Sequence, residues 1–477
     1  MPTTDTTDGL NREILVLGGT VVLGMILAVL DATIVNVAIP TLGRDLNTSI
    51  STIQWVMTGY LLAFASVIPL AGWAAGRFGA KRVWIAALTL FMTGSVLAGL
   101  SWSIGALIAF RIVQGVGAGL LMPVGQTILA QAAGPKRMGR VMSVVGVPIL
   151  LAPVLGPVIG GALVDGASWR WIFFVNLPVG LLAVALAQRL LPASEVGRAG
   201  RLDLAGFALL SPGLALFLYG MSEAGVNGGF GSARALAGIA FGVALVALFV
   251  RHARRRGREA LIDLSLFTNR GFAAAAGTNL LVGIALFGAL ILLPLYFQTV
   301  RGQSALATGL LLMPQGLGAA LAMPIAGRLT DAVGARRVIP TGIVLALAGM
   351  AAYTQVGAHT PYAALAAALF LVGMGLGTTI VPSMAVAYQS VAHDAIAQAT
   401  VAINVVQRVA GSIGTALLAV VLQRAIAANG GHSPAALADA FGTAFAVAFG
   451  LTLVALVPAL LLPRRRAVEE LQPVLDA

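Results

Sequence analysis

The chain has 477 residues, of which 59% are hydrophobic and only 10% are charged, and its formal net charge is +12. Soluble domains usually carry about 25% charged residues, so this chain lacks the polar groups needed to cover a water-exposed surface. The composition therefore excludes an ordinary soluble enzyme and predicts an all-α polytopic membrane protein. There is no cysteine, which excludes disulfides, thiolate metal sites and thiol nucleophiles. The four histidines fall in predicted loops or at helix ends, so we expect no metal site and no cofactor.

Hydrophobic runs of about 20 residues, the length that crosses the core of a bilayer, recur along the whole chain. Each run must be helical, because unpaired backbone polar groups are not tolerated in lipid. The first 13 residues contain Asp5, Asp8 and Glu13 and no cleavage-type region, so we expect the first helix to be retained. We count fourteen runs, centred near Met25, Ala63, Leu90, Gly119, Leu151, Leu181, Leu214, Val243, Phe287, Leu317, Leu347, Gly373, Ile413 and Leu453.

The basic residues are distributed unevenly between the two sides that these helices define. Of the 29 Lys and Arg residues, 22 lie at the termini and in alternate loops, five lie in the other loops, and Arg111 and Arg408 fall inside helices. By the positive-inside rule, the basic side is cytoplasmic and both termini lie there, with the chain in a bacterial plasma membrane. The positive charge is therefore a topology signal, and we expect no nucleic-acid partner.

Two sequence repeats indicate that the chain contains two related halves. GWAAGRFGAKRV begins at Gly72, and GRLTDAVGARRV begins 255 residues later at Gly327. A weaker pair, FRIVQGVGAGLLMP from Phe110 and FLVGMGLGTTIVP from Phe370, has an offset of 260 and aligns Arg111 with Leu371. Many transporters consist of repeated bundles with a binding site between them.

If each of the two bundles has six helices, about 50 residues of the chain remain and supply two additional helices. We predict a cytoplasmic N-terminus at 1–13, a first bundle at 14–192, two additional transmembrane helices at 193–251, a cytoplasmic amphipathic linker at 252–271, a second bundle at 272–463 and a cytoplasmic tail at 464–477.

Five motifs in register resemble the fourteen-helix drug:proton antiporter branch of the major facilitator superfamily. They are LDATIVNVAIP from Leu30, GRLTDAVGARR from Gly327, RIVQGVGAG from Arg111, GVPILLAPVLGPVIGG from Gly146 and WRWIFFVNLP from Trp169. The resemblance covers nearly the whole chain and implies the major facilitator fold, in which two extra central helices separate two six-helix bundles. It also implies a secondary transporter. There is no Gly-Lys pair, so the chain has no phosphate-binding loop for ATP and we expect an ion gradient to drive it.

Asp31 is the only charged residue between Ile14 and Gly43, about 25 Å along the first helix. A carboxylate at membrane depth is costly and therefore indicates function. The resemblance implies that Asp31, which matches an acid in the first-helix motif of the family, couples transport to protons and cations. The alternative is a structural aspartate near the outer interface, satisfied by Thr33, Asn36 or backbone groups.

Arg111 and Arg408 are the two arginines that fall inside predicted helices. An arginine in a helix interior needs a partner or a water-filled cavity, because it does not lose its proton. The resemblance implies that Arg111 assists proton transfer, while a purely structural role is the alternative. Arg408 lies one turn from Asn404 and could bind anionic groups, pair with Asp394 or serve packing.

The fifth helix and two loops carry the residues that the resemblance connects with gating. Small residues at steps of four allow close helix approach, and the intervening prolines permit bends. The resemblance implies that this bendable helix prevents the leakage of protons. The antiporter-helix residues are Gly146, Pro153, Gly156, Pro157, Gly160 and Gly161. The loop residues are Gly72, Arg77, Gly79, Lys81, Gly327, Asp331, Gly334 and Arg336. The first loop departs from the superfamily pattern because Gly76 stands where an acid belongs, which puts a first-bundle latch in doubt.

Polar and aromatic residues among the apolar helices predict a largely apolar substrate pocket with a few hydrogen-bonding groups. Our candidates are Asn36, Trp55, Tyr60, Gln114, Asn279, Phe287, Gln315, Asn404 and Arg408. Packing is the alternative for each of them.

We expect proton-coupled efflux of amphipathic, often cationic drugs by a monomer that alternates access across the membrane, with proton and drug competing for Asp31. The alternatives are a dedicated exporter of one metabolite or antibiotic, and a proton-coupled uptake symporter. A membrane-embedded enzyme is disfavoured because both lysines and all histidines lie outside the predicted spans.

Overall fold

The computed structural model describes residues 12–133, 141, 155–156, 159–192, 200–226, 229–430 and 433–463. The described part of the first bundle contains α1 (Arg12–Asp45), α2 (Trp55–Val67 and Leu70–Phe78), α3 (Ala80–Gly99), α4 (Ile104–Ala133), the described end of α5 (159–166) and α6 (Asn176–Leu190). Short helices at Ile50–Ile53 and Trp171–Phe174 precede α2 and α6. The two parts of α2 meet at an angle of 56°, where Pro69 interrupts the backbone hydrogen bonding.

The remaining helices continue in the predicted order. They are α7 (Leu204–Val226), α8 (Ala233–Arg256), α9 (Arg270–Leu295), α10 (Ala305–Val333), α11 (Ala335–Thr354), α12 (Tyr362–Gln389), α13 (Ile396–Ala428) and α14 (Pro434–Val454), followed by Leu456–Leu460. In the described residues, 12 helices are long and apolar enough to span a membrane, or 13 with α2 counted as one bent span. The fifth predicted helix, centred near Leu151, lies mostly outside these residues. The chain is a multi-pass helical membrane protein, and the fourteenth span stays a prediction.

Polar side chains begin three helices of the second bundle. Asn269 accepts hydrogen bonds from the backbone N–H groups of Gly271 and Phe272, while Ser304 and Ser433 each accept one from three residues further on. These bonds satisfy N–H groups that have no partner within a helix. The ends of the spans are therefore determined locally.

The loop repeat occupies equivalent positions in the two bundles. Gly79 follows α2 with a φ of 87°, and Gly334 follows α10 with a φ of 86°. Both donate their N–H group to the carbonyl four residues earlier, Ala75 in one case and Thr330 in the other, and the two acceptors are 255 residues apart. Glycine is the residue that adopts this backbone conformation without strain.

Three glycines in α4 and three in α12 place these helices against their neighbours. A Cβ on Gly115 would overlap the carbonyl oxygen of Tyr60 in α2, and a Cβ on Gly373 would overlap that of Gln315 in α10. Gly117 and Gly375 make the equivalent approach to α3 and α11, and Gly119 and Gly377 repeat the approach to α2 and α10. Both bundles therefore contain the same three-helix contact.

This packing corrects one detail of the sequence alignment. The equivalent glycines are 258 residues apart, so the counterpart of Arg111 is Leu369 and not Leu371. Leu369 is buried in the second bundle. The alignment on Phe110 and Phe370 was wrong by two residues because it matched two phenylalanines instead of the glycines that make the helix contacts.

The two additional helices lie beside the bundles as a hairpin. Gly220 of α7 packs closely against the α8 backbone at Gly238 and Ile239, and α7 also contacts α2 and α13. α8 continues to Arg256, five residues into the segment predicted as linker. Beyond it, 3₁₀ turns at Gly257–Glu259 and Leu264–Thr268 are connected by a segment whose apolar side chains, including Leu261 and Ile262, are buried.

Candidate functional site

The first bundle contains a fully buried ion pair between α1 and α4. Nη1 of Arg111 donates a hydrogen bond to Oδ2 of Asp31, and both side chains have 0% solvent exposure. The same Nη1 also donates to Oε1 of Gln114 at 2.7 Å. Sequence reasoning selected all three residues, and the structure brings them together.

The second carboxylate oxygen of Asp31 receives two more hydrogen bonds. Nε2 of Gln114 donates to Oδ1 at 2.8 Å, and Nδ2 of Asn176 in α6 donates to the same atom at 3.0 Å. Asn176 also lies 3.0 Å from Oγ of Ser95 in α3, whose hydroxyl donates to the Phe173 carbonyl at 2.8 Å. Burying a carboxylate is tolerated where a cation and further donors compensate it, as they do here. Thr33 and Asn36, the alternative partners, bond instead to carbonyls of α1.

Arg111 is also held by α2. Its Cζ lies 4.0 Å from the ring centroid of Tyr60, and its Nε donates to the Val56 carbonyl at 3.3 Å. Tyr60 in turn donates to the carbonyl of Ala28 in α1 at 3.2 Å. Nη2 of Arg111 is buried and has no hydrogen-bond acceptor in the part of the chain that the structure describes. The guanidinium thus links α1, α2 and α4.

A second polar region lies on one face of α13, where it meets the first bundle. The backbone of Ala397 lies beside Gly72 of α2. Nδ2 of Asn404 donates a hydrogen bond to Oε1 of Gln126 in α4 at 2.7 Å. Cζ of Arg408 lies 4.0 Å from the ring centroid of Phe64 in α2. We call this contact between α13 and the first bundle the seam. Its residues on α13 are separated by seven and four positions, which places them on one helix face.

Arg408 does not pair with Asp394, one of three roles that the sequence left open. Among the described residues Arg408 has no ion pair, and Asp394 is exposed in the loop before α13. Arg408 is 14 positions after Asp394, which corresponds to about 21 Å along a helix. Anion binding and packing remain as roles for Arg408.

The predicted pocket residues do not form a single pocket. Tyr60 and Gln114 belong to the ion-pair cluster, Asn404 and Arg408 belong to the seam, and the ring of Phe287 in α9 lies 3.4 Å from where a Cβ on Gly411 of α13 would stand.

The other four candidates lie elsewhere. Asn36 is exposed, and Trp55 is 43% exposed and stacked on Tyr219 of α7 at 6.1 Å. Asn279 donates to Oγ of Ser383 within the second bundle, and Gln315 lines an apolar cavity there. Each of these positions is a contact inside one bundle or at its surface.

The predicted gating residues lie where α2 leads into α3 and where α10 leads into α11. Lys81 donates to the carbonyls of Gln188 and Leu191, at 2.9 and 2.6 Å, and so caps the end of α6. Arg77 and Arg336 are exposed, and Gly327 is buried in α10. Asp331 belongs to the α10 backbone, and its side chain lies outside the described part.

In the antiporter helix, Gly156 and Gly160 approach α1 closely. A Cβ on Gly156 would overlap Thr33, and one on Gly160 would lie 3.0 Å from the Ile34 carbonyl oxygen. Gly161 has open space around it. Gly146, Pro153 and Pro157 lie outside the described residues. The described part of the motif therefore packs directly beyond Asp31 on α1.

Sequence reasoning missed Asn176, Ser95 and Gln126 as site residues. All three are polar and are at most 7% exposed within apolar helices. An amide in a membrane span is a detectable signal, but its partner on another helix is not readable from one sequence.

Comparisons with known proteins agree with this architecture. The family model described as Major Facilitator Superfamily matches residues 21–415. The chain is 40% identical to the multidrug resistance protein B homolog of Mycobacterium tuberculosis, with 98% of this chain and 94% of the relative covered. It is 35% identical to the puromycin resistance protein pur8 of Streptomyces alboniger, with 91% and 88% covered, and 31% identical to the multidrug export protein EmrB of Escherichia coli, with 83% and 77% covered.

Solved structures show the same fold at low sequence identity. The human organic anion transporter MFSD10 has a TM-score of 0.64 at 17% identity, covering 95% of this chain and 100% of its own. The proton:xylose symporter XylE has a TM-score of 0.65 at 16% identity, covering 97% and 99%. The family match extends over most of the chain and the helix order agrees with it, so this protein belongs to the major facilitator superfamily of membrane transporters.

Proposed function

We propose that this chain is a proton-coupled exporter of amphipathic drugs in a bacterial plasma membrane, with both termini cytoplasmic. The observation that carries the proposal is the buried pair of Asp31 and Arg111 inside the first bundle. An acid within a membrane span indicates function, and proton transfer is one of the functions that such acids serve in transporters. Relatives named for multidrug resistance, puromycin resistance and multidrug export support drug efflux as the direction of transport.

In this proposal, Asp31 carries the proton and the drug binds elsewhere. Arg111, Gln114 and Asn176 occupy the carboxylate, so a drug cation reaches Asp31 only by displacing one of them. A proton needs no such space. Proton and drug therefore compete through the conformation of the bundles instead of through one shared contact.

Protonation of Asp31 would act on the helices that its hydrogen bonds connect. It removes the negative charge that attracts Arg111, which then keeps the Gln114 oxygen and the Val56 carbonyl as acceptors. The attraction between α1 and α4 weakens, while the contact of Arg111 with α2 persists. Since α2 also forms the seam with α13, a change in α2 reaches the surface between the bundles.

The seam lies on the predicted cytoplasmic side, where α2 ends and α13 begins. Its contacts at Gly72 and Ala397 close the path between the bundles from that side. Alternating access requires the bundles to separate here when the opposite side closes. A proton that enters down a 100 mV potential supplies about 2.3 kcal/mol for this cycle.

The test is transport in proteoliposomes under an imposed proton gradient, with drug movement and lumenal pH recorded together. We expect an amphipathic drug to dissipate the gradient with the unmodified protein and not with Asp31→Asn. Asp439→Asn is the matched control, because Asp439 is exposed on α14 and far along the chain from the cluster. This control should behave like the unmodified protein.

Asp31→Asn also leaves Arg111 as a buried charge without a counterion, which costs about 3–5 kcal/mol. The double variant Asp31→Asn with Arg111→Gln removes that cost and should fold without coupling transport to protons. If either variant dissipates the gradient as the unmodified protein does, Asp31 does not carry the proton. If no drug in a varied panel moves the gradient in the unmodified protein, a dedicated exporter of one compound replaces the broad exporter.

A further inference from the structure

Arg408 carries a positive charge in the middle of a membrane helix, and no acidic residue in the described part of the chain forms an ion pair with it. It lies 12 residues beyond the start of α13, about 18 Å along the helix. Such a charge is costly unless it faces a cavity or pairs with an anion. No carboxylate among the described residues lies within ion-pair distance of it.

The two arginines within membrane helices differ in what surrounds them. Arg111 has 0% exposure and gives its bonds to Asp31, Gln114 and a carbonyl. Arg408 is partly exposed, and in the part of the chain that the structure describes none of its nitrogens has a hydrogen-bond partner. Its Cζ lies 4.0 Å from the centroid of the Phe64 ring, and a contact of this kind uses none of the N–H groups as hydrogen-bond donors to an oxygen.

We propose that Arg408 is an anion-binding subsite in the substrate path, and that this exporter accepts amphipathic compounds carrying a carboxylate or another delocalised anionic group. The inference rests on the proposed export function and specifies its substrate class. A guanidinium edge binds a carboxylate through two parallel hydrogen bonds, and the contact with the Phe64 ring holds the charged group at this position.

Aromatic rings near the subsite suit the apolar body of such a compound. Phe64 lies beneath Arg408, and the partly exposed ring of Phe287 packs beside Gly411, less than one turn further along α13. Asn404 is one turn in the other direction, where its bond to Gln126 closes the seam. The anionic group would therefore bind just above the closed part of the seam.

The subsite is connected to the proton site by a row of contacts. Arg408 lies on Phe64, the rings of Phe64 and Tyr60 are 6.2 Å apart, and Tyr60 lies beneath Arg111, the partner of Asp31. An anion bound at Arg408 adds negative charge close to the same aromatic pair. The subsite thus offers a route by which an anionic substrate and the proton on Asp31 influence each other.

The experiment compares two dyes that share a xanthene ring system. Fluorescein is anionic at neutral pH, and the second dye is a cationic rhodamine ester. Binding to the purified protein and transport in proteoliposomes are measured for the unmodified chain, for Arg408→Gln and for Arg408→Lys. Arg424→Gln is the matched control, because Arg424 lies on the same helix and is exposed. Arg408→Lys retains the charge and provides a folded comparison should Arg408→Gln fail to fold.

We expect the unmodified protein to bind and move fluorescein, and Arg408→Gln to lose about 10- to 100-fold in affinity for it, with the rhodamine ester unchanged. Arg408→Lys should be intermediate, since it lacks the planar pair of donors, and Arg424→Gln should match the unmodified protein. The inference is overturned if fluorescein does not bind while the rhodamine ester is exported, or if both dyes lose affinity equally in Arg408→Gln and in Arg408→Lys. If neither dye is exported by the unmodified protein, the proposed function fails with it.

Discussion

Asn176 connects the proposed proton carrier to a helix that sequence reasoning did not associate with it. Its amide donates to Asp31 and lies 3.0 Å from Ser95, so a single side chain on α6 bridges α1 and α3. Removing a hydrogen-bond donor from a buried carboxylate destabilises the fold, because the desolvation of that oxygen is then no longer compensated. Asn176 is therefore a positioning residue for Asp31.

We expect Asn176→Ala to lower stability by about 1–3 kcal/mol and to reduce proton-coupled transport more strongly than transport driven by a drug gradient alone. Asn429→Ala is the control, because Asn429 is an exposed asparagine whose side chain donates one hydrogen bond, to the Ala436 carbonyl. Thermal unfolding in detergent and transport in proteoliposomes measure the two effects. Equal losses in both transport modes would indicate that Asn176 only stabilises the fold.

The carboxylate of Asp203 joins two helices, α7 and α8, to the segment that follows them. Asp203 precedes α7 and accepts hydrogen bonds from the N–H groups of Gly206 and Leu261 and from Nε2 of His252, at 3.0, 3.1 and 2.8 Å. Nη1 of Arg256 lies 3.6 Å from Oδ1 of Asp203. One side chain thus caps α7, holds the end of α8 and fixes the segment after it.

The surroundings of Asp203 lower its pKa below the usual 3.8. Burial alone would raise the pKa, but the hydrogen bonds from Gly206, His252 and Leu261 and the charge of His252 outweigh that effect. A carboxyl group with a lowered pKa stabilises the fold fully above its unfolded-state pKa and loses that contribution as the pH falls through its folded-state pKa.

We therefore expect Asp203→Asn to lower the melting temperature at about pH 5 and above, and the difference to shrink as the pH falls below about pH 4. Asp439→Asn, at an exposed position, should produce no such difference. Thermal unfolding across this pH range measures it. A difference that stays undiminished well below about pH 4 would contradict the assignment of Asp203 as a charged cap.

At the scale of the whole molecule, the sequence predicts the helical architecture and the two halves because both depend on local pattern. Apolar runs determine the spans, and Gly79 and Gly334 determine the turns. Asp31 and Arg111 stand out because charges in apolar runs are rare. What one sequence does not contain is the partner across a helix contact.

Three observations illustrate that limit. The counterpart of Arg111 is set by glycine packing between α4 and α2, which moves the alignment by two residues. The pocket candidates disperse because an amide such as Asn279 finds its partner, Ser383, inside one bundle. Arg408 lies on Phe64 of the other bundle, more than 300 residues away in sequence.

The seam also allows a direct test of alternating access. A Cβ added to Gly72 on α2 would lie 3.3 Å from Cγ2 of Val401 on α13, so these two positions are in contact across the seam and are the pair to replace by cysteine. The natural chain has no cysteine, so the double variant Gly72→Cys with Val401→Cys can be oxidised without competing thiols.

We expect oxidation of this double variant to stop transport and a reductant to restore it, because the linked bundles cannot separate on this side. Each single-cysteine variant, treated with the same oxidant, controls for effects of the substitutions themselves. A saturating drug or an imposed proton gradient should change the rate of disulfide formation, since either one shifts the population of the closed seam. Full transport by the cross-linked protein would mean that the bundles do not part at the seam, and the conformational cycle would then require a different moving surface.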